Sequence, residues 1–349
     1  MNVFNRVRTP NPPCSGSAQH LPATLENERE PELAVYTQVP AESLAAFLAR
    51  YDVGELVSAK GIAEGVENSN YLVDTTKARF ILTLYEKRVD AGDLPFFLDL
   101  LAHLDAKGLK VPPAIPDRDG VSIQTLEGRP ACLIKFLSGV SLSHPTPAQA
   151  EAAARAMADM HAAVADFGQD RPNSMGVDSW RPLFERCGDS LDQIAPDLHA
   201  ELGTALDRVL AAWPRDGFDR CAIHADLFPD NVLMLGDTVT GLIDFYFAST
   251  DFRIYDLAVM HSAWSFDATG AEYHAQVGEA LLRGYESRFP LSEAERAAFP
   301  LLASGACIRF ALSRAFDWIN TPADALVTRK DPLAYVRRLR HYQAMSRPA

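Results

Sequence analysis

The stretch that most constrains this chain is residues 221–247, where short apolar runs surround two polar clusters. One cluster holds His224, Asp226 and Asn231, and the other holds Asp244. Apolar runs interrupted by glycine predict the two strands of a hairpin. Because a hairpin brings the outer ends of its strands to one rim, we expect Asp226, Asn231 and Asp244 to converge there. Three oxygen-bearing side chains at one rim suit Mg²⁺ and a hydroxyl substrate.

The composition is that of a globular protein able to bury a large core. With 349 residues, 48% of them hydrophobic and 23% charged, the chain is long enough for two lobes. Its net charge of −13 argues against nucleic acid or an anionic membrane as the main partner. The cysteines are scattered without metal-ligand spacing, and no apolar run is long enough to span a bilayer. We therefore predict a cytoplasmic monomer or homodimer with no membrane segment.

Residues 1–33 differ in composition from the rest of the chain. They are rich in Pro, Ser, Asn and Glu and lack apolar periodicity, which favours disorder. A targeting peptide is the alternative, since Arg6 and Arg8 stand near the start, but the segment has no central apolar region. We predict a disordered extension, followed by an N-terminal lobe at residues 34–137 and a C-terminal lobe at residues 138–349.

The N-terminal lobe is predicted to be mainly β-structure. Three strand patterns follow one another between residues 55 and 85. Gly65, in the first connection, permits a close approach of the backbone to a ligand. The polar residues after it can donate hydrogen bonds to phosphate oxygens; they are Asn68, Ser69 and Asn70. A plain polar hairpin turn explains the same residues without a ligand.

The C-terminal lobe is predicted to be mainly helical. Thr146, Pro147 and Gln149 supply a helix N-cap, a first-turn proline and a capping-box partner. Apolar stripes at helical spacing recur in later stretches such as residues 301–318. A hinge is expected at Leu137, between the two kinds of structure. A β-rich N-terminal lobe joined to a mainly helical C-terminal lobe predicts an α+β, two-lobed protein-kinase-like fold.

The spacing of the polar cluster matches a known signature. His224, Asp226 and Asn231 fit the H-x-D-x-x-x-x-N pattern of a kinase catalytic loop. Asp244-Phe245 then stands where the metal-binding Asp-Phe-Gly of kinases would begin. The chain resembles the aminoglycoside-phosphotransferase-like family and, within it, the bacterial homoserine kinases. The wider resemblance also rests on Asp251, Tyr255, Asp256, Leu257 and Ala258, and the narrower one on residues 35–39, 67–71, 84–88, 94–97, 309–310 and 313–314.

The resemblance implies phosphoryl transfer from ATP, in which the protein mainly positions the reactants and neutralises charge. It implies that Asp226 orients the acceptor hydroxyl and takes up its proton, while His224 braces the loop. Asn231 and Asp244 are implied to hold Mg²⁺ against the phosphates of ATP. Residues 68–70 are expected over the phosphates. The nucleotide base is expected against the backbone near Lys135 and Leu137.

The chain departs from the protein-kinase pattern in several places. Ala225 replaces the arginine of the catalytic loop and Tyr246 replaces the glycine after Asp-Phe, so activation by phosphorylation is not expected. Thr83 stands where related kinases carry a phosphate-binding lysine. Lys87 is the candidate substitute, provided that the strand extends far enough to keep it on the same face.

The implied acceptor is L-homoserine, whose product O-phospho-L-homoserine serves threonine biosynthesis. An amino acid needs a cation for its carboxylate, and the candidates are Arg309 and Arg314. Its ammonium needs an anion, for which Asp251 and Asp317 are the candidates. Ordinary salt bridges explain the two arginines equally well.

Two other functions stay open at this point. Choline or another amino alcohol would favour an aromatic cage, which Trp264, Phe266 and Trp318 could supply. A nucleotide-binding pseudokinase is the other alternative, and the intact set of Asp226 and its partners argues against it.

Overall fold

The computed structural model of the chain describes residues 37–62, 68–86, 92–321 and 329–345. Residues Leu33–Ala349 form one compact unit. The predicted disordered extension, and the predicted ligand contacts of Gly65 and Lys87, lie outside the described residues. Within the described ranges, no helix combines the length and the apolar character needed to cross a membrane.

An antiparallel sheet and two helices make up the N-terminal part of the described chain. They are α1 (Ala41–Leu48), β1 (Leu56–Ile62), β2 (Asn68–Thr75), β3 (Arg79–Tyr85), α2 (Leu94–Ala106), β4 (Ala114–Ile115), β5 (Gln124–Leu126) and β6 (Arg129–Lys135). The strands lie in the order β1-β2-β3-β6-β4, and β5 pairs with β6. The three strand patterns predicted between residues 55 and 85 are therefore confirmed. The second strand was predicted to begin at Asn70, and β2 begins two residues earlier, at Asn68.

The two faces of this sheet have different roles because side chains alternate along a strand. Tyr71 and Val73 of β2 pack with α1 in one buried cluster. Residues two apart share a face, so Ser69 lies on this α1 side. Asn68 and Asn70 therefore point to the opposite side. The sheet pairs them with Tyr85 and Thr83 of β3, so a polar strip runs along that side.

Helices dominate the remainder of the chain. They are α3 (Pro147–Ala163), α4 (Val177–Cys187), α5 (Leu198–Ala212), α6 (Arg253–Trp264), α7 (Ala275–Glu286), α8 (Glu293–Asn320) and α9 (Leu333–Met345). The predicted start of α3 is confirmed, because Thr146 and Gln149 form a reciprocal capping box. Every residue of α6 is buried, which makes this helix the centre of the helical part. The predicted α+β layout is present.

Two short strand pairs lie between the helices. They are β7 (Arg220–Ile223) with β10 (Ser249–Phe252), and β8 (Val232–Leu235) with β9 (Thr238–Leu242). The segment after β6 lies against the second pair, since the backbones of Val140 and Met234 exchange two hydrogen bonds of 3.0 Å. Gly139 is required there: a Cβ atom would lie 2.4 Å from Thr240 Oγ1. The lobe boundary after Leu137 stays a prediction.

Close packing of α3 on α7 yields a testable expectation at Gly284. A Cβ atom at this position would lie 2.2 Å from the backbone oxygen of Glu151, which cannot move away without shifting α3. Gly284→Ala should therefore lower the free energy of unfolding by about 1–3 kcal/mol, measured by urea denaturation. Gly203→Ala is the matched control, because its Cβ would meet only the ring edge of Phe184 at 3.2 Å. Equal stability of both variants would contradict the close packing of α3 on α7.

Candidate active site

The hairpin of β8 and β9 brings the predicted cluster together. Val232 pairs with Leu242, so Asn231 and Ile243 lie side by side at the open end. The Ile243 backbone N–H donates to the backbone oxygen of Asn231 at 3.0 Å. The Asn231 amide donates to the backbone oxygen of Asp226 at 2.8 Å and lies 3.4 Å from its carboxylate. Asp226 and Asn231 are thus in contact, and Asp244 follows Ile243 directly.

His224 is buried behind this cluster and has no surface exposed to solvent. Its side chain is 0% exposed and its Nε2 atom lies 2.9 Å from the Ile243 oxygen. Burial lowers the pKa of His224, so the ring is neutral and donates to that oxygen. Nδ1 then accepts the Asp226 N–H at 3.3 Å. This geometry fits the bracing role implied for His224.

Asp256 of the buried helix α6 is the residue to which the catalytic loop is anchored. Its carboxylate accepts the backbone N–H of His224 at 2.9 Å and that of Ala225 at 2.7 Å. His161 Nε2 lies 2.9 Å from the same carboxylate. Burial alone would raise the pKa of Asp256, but the hydrogen bond from His161 helps hold it below its ordinary value. The sequence motif contained Asp256 without indicating this role.

Arg309 does not occupy the position expected of a substrate ligand. It is 1% exposed, and its guanidinium donates to the backbone oxygen of Ala225. The same group lies 5.5 Å from the ring of Phe247 and 4.5 Å from that of Phe310. Ala225 has a φ of 63°, which is costly for a residue other than glycine. Arg309 therefore helps hold a strained catalytic loop from behind, and the carboxylate contact expected from the sequence does not fit this placement.

Asp226 has an environment suited to proton transfer. Burial raises its pKa to about 7, the Arg309 charge opposes this shift, and the Asp244 charge adds to it. The residue as a whole keeps partial exposure, so a substrate hydroxyl can reach it. A carboxylate whose pKa lies near neutrality can accept a proton and release it again.

The donor set at the rim suits a hard divalent cation. Asn231 uses its amide N–H groups towards Asp226, which leaves the Oδ1 oxygen for another partner. Asp244 adds a carboxylate, and its backbone has the left-handed conformation with a φ of 66°. The described residues contain no cluster of three His, Cys, Asp or Glu side chains. Two protein oxygens are sufficient for Mg²⁺, which completes its shell with phosphate and water.

The segment after Asp244 is attached to the N-terminal sheet. The Tyr246 hydroxyl lies 3.2 Å from that of Tyr85 on β3. Its ring meets Tyr85 and Phe97 edge-on, with centroid distances of 5.6 and 5.9 Å. This contact links the predicted metal-binding segment to the polar strip of the sheet.

The nucleotide candidates of the sheet fall into two groups. Thr83 donates to the Asn70 oxygen at 2.8 Å, which leaves the Asn70 amide N–H groups for a phosphate. Asn68 is 5% exposed and lies on the same face. Ser69, in contrast, donates to Glu86 at 2.8 Å on the α1 side, so its hydroxyl does not face the strip. The phosphate contact expected of the Ser69 side chain does not fit this placement.

The base-binding candidates lie at the end of β6. The Lys135 N–H donates to the Pro113 oxygen at 3.0 Å, and its ammonium lies 3.0 Å from Asp105. The backbone N–H and the ammonium group of Lys135 therefore each have a partner within the protein. Leu137 lies over Gly241 of β9, where a Cβ atom would be only 2.8 Å from the leucine side chain. Leu137 therefore presents an apolar surface next to the hairpin of β8 and β9.

The acidic substrate candidates differ in their availability. Asp251 accepts Asn173 Nδ2 at 2.7 Å and the Phe252 N–H at 2.8 Å, so it stabilises β10. An ammonium contact at Asp251 does not fit this use. Asp317 is exposed on α8, one turn beyond Arg314, which is partly buried.

Two of the three rings considered for a choline cage are buried, whereas Trp318 on α8 is exposed. Trp264 is 1% exposed, and its indole N–H donates to the Leu227 oxygen at 2.9 Å. Phe266 is buried against Tyr273. Neither ring offers an open face to a quaternary ammonium.

Comparison with known proteins agrees with this geometry. Residues 58–291 match the model of the phosphotransferase enzyme family. The chain belongs to that family. A homoserine kinase of Acidiphilium cryptum is 53% identical over 315 residues, which cover 90% of this chain and 98% of the relative. A homoserine kinase of Gluconobacter oxydans is 51% identical over 315 residues, which cover 90% and 99%.

A solved structure confirms the kinase-like fold. An amicoumacin kinase superposes with a TM-score of 0.66 at 13% identity, over 87% of this chain and 93% of that one. At this identity the likeness concerns the fold. The predicted two-lobed protein-kinase-like architecture is confirmed.

Replacement of Arg309 distinguishes a positioning residue from a substrate ligand. Arg309→Met removes the donor to Ala225, so kcat should fall by about tenfold or more while KM for the acceptor changes less than threefold. Arg309→Lys should recover part of kcat, because it restores a cationic donor. A large rise in KM with unchanged kcat, measured by steady-state kinetics, would instead support direct substrate binding.

Proposed function

We propose that this enzyme transfers the γ-phosphoryl group of ATP to the hydroxyl of L-homoserine, giving O-phospho-L-homoserine for threonine biosynthesis. The observation that carries the proposal is identity of about half to homoserine kinases along nearly their whole length. The contact of Asp226 with Asn231, and the place of Asp244 directly after Ile243, support it chemically, because a pseudokinase has no use for this set. We place the reaction in the cytoplasm, where ATP is supplied.

We propose the following roles for the side chains in the reaction. Asp226 accepts a hydrogen bond from the substrate hydroxyl, whose oxygen attacks the γ-phosphorus of ATP. The bond between the γ-phosphorus and the bridging oxygen breaks, ADP leaves, and the hydroxyl proton passes to the Asp226 carboxylate. His224, Asp256 and Arg309 keep Asp226 in place through the loop backbone.

Asn231 and Asp244 are proposed to hold Mg²⁺. The ion would neutralise the charge of the phosphates, which the carboxylates of Asp226 and Asp244 would otherwise repel. Asn68 and Asn70 are proposed to donate to the phosphates, with Asn70 oriented by Thr83. The adenine is proposed to lie against Leu137.

A substrate panel tests the reaction itself. Release of ADP should be rapid with L-homoserine and at least tenfold slower with choline, 5-methylthioribose or an aminoglycoside. Absence of turnover with L-homoserine would refute the assignment.

Replacement of the proposed base tests the mechanism. Asp226→Asn should lower kcat by about 10²–10⁴-fold, because the amide cannot accept the proton. Asp230→Asn is the matched control, since Asp230 is an exposed carboxylate of the same loop. Full activity of Asp226→Asn would exclude Asp226 as the base.

Removal of divalent ions tests the proposed metal residues. EDTA should abolish activity and added Mg²⁺ should restore it. Asp244→Asn should raise the Mg²⁺ concentration for half-maximal rate by about tenfold or more, because one charged ligand is lost. Asp237→Asn, in the turn of the same hairpin, should keep the wild-type dependence of the rate on Mg²⁺ concentration. Identical Mg²⁺ curves for wild type and Asp244→Asn would contradict the metal assignment.

A further inference from the structure

Two cations in the last part of the chain, Arg314 and Lys330, contact aromatic rings beside the catalytic loop. Arg314 stacks on Tyr335, and Lys330 lies over Phe228, whose backbone N–H donates to the Asp226 backbone oxygen. The hydrogen bond that Arg314 forms within the described residues goes to a backbone oxygen. Both positive charges therefore lie near the position proposed for the reacting hydroxyl.

Arg314 is held in a fixed orientation. Its guanidinium carbon lies 4.6 Å from the ring centroid of Tyr335, and Nη1 donates to the Asp331 backbone oxygen at 3.3 Å. The Arg314 side chain is partly buried, and burial lowers its pKa. An anionic ligand would offset the hydration that a partly buried cation loses.

Lys330 contacts the same aromatic platform, defined as Phe228, Phe310 and Tyr335. Its ammonium lies 6.0 Å from the ring centroid of Phe228, while the side chain stays exposed. The ring centroid of Phe310 lies 4.9 Å from that of each other ring of the platform. Because the Phe228 N–H donates to the Asp226 oxygen at 2.8 Å, the platform is attached directly to the catalytic loop.

We propose that Lys330 and Arg314 together bind the carboxylate of the amino-acid substrate and so make the enzyme select amino acids over amino alcohols. The proposal rests on the function proposed above. Four covalent bonds separate the hydroxyl oxygen of homoserine from its carboxylate carbon. A hydroxyl at Asp226 therefore places the carboxylate within a few ångströms, in the region that both cations face. No sequence pattern indicated Lys330, and Arg309 already holds the loop by its contact with Ala225.

The test compares two acceptors that differ only in the carboxylate, L-homoserine and 3-amino-1-propanol. Lys330→Met and Arg314→Met should each raise KM for L-homoserine by about tenfold or more, since a charged contact is lost. The KM for ATP should stay within threefold of wild type. The kcat/KM for 3-amino-1-propanol should also change less than threefold, so selectivity falls. Lys330→Arg should retain most of the selectivity for L-homoserine, because the positive charge remains.

Arg340→Met is the matched control, since Arg340 is a cation of α9 that pairs with Glu201 away from the platform. Arg340→Met should leave the KM for L-homoserine and the kcat/KM for 3-amino-1-propanol unchanged. Lys330 is exposed, so Lys330→Met decides the question even if Arg314→Met does not fold. Turnover of L-homoserine by wild type with an unchanged KM in Lys330→Met would overturn the carboxylate assignment alone. Absence of turnover in wild type would overturn the proposed function, and this assignment with it.

Discussion

The geometry of the active site depends on one buried carboxylate. Asp256 is 0% exposed and accepts two consecutive backbone N–H groups of the catalytic loop. A buried charge is tolerated only when hydrogen bonds compensate its lost hydration, so the loop and the carboxylate stabilise each other. Helix α6 is buried along its whole length, which fixes Asp256 relative to the core. The strained Ala225 is then held from the other side by Arg309.

The parts of the fold that local patterns determine could be predicted from the sequence. Thr146 and Gln149 indicated the start of α3, because a capping box needs only neighbouring residues. The turn at Gly236 indicated the hairpin of β8 and β9 for the same reason. The pairing of β7 with β10 could not be predicted, since it joins strands separated by that hairpin. Helix α9 carries several charged residues, and its apolar stripe is short, so no pattern marked it.

The candidate site shows the same limit. Spacing alone predicted Asp226, Asn231 and Asp244 as neighbours, because the loop and the hairpin fix their relative positions. Spacing could not show that Arg309 faces inward while Arg314, slightly further along α8, lies against Tyr335. That difference depends on how α8 packs against the loop and the aromatic rings. One residue of offset in β2 likewise moves Ser69 to the α1 side of the sheet.

The contact between Tyr246 and Tyr85 has a consequence for inhibition. An inhibitor could occupy the space that would open if the segment after Asp244 moved away from the N-terminal sheet. Here that movement would separate Tyr246 from two aromatic rings and expose their apolar edges to water. The aromatic contacts therefore oppose the opening of this space. An inhibitor that depends on this movement should bind weakly, whereas one that competes with a substrate needs no such movement.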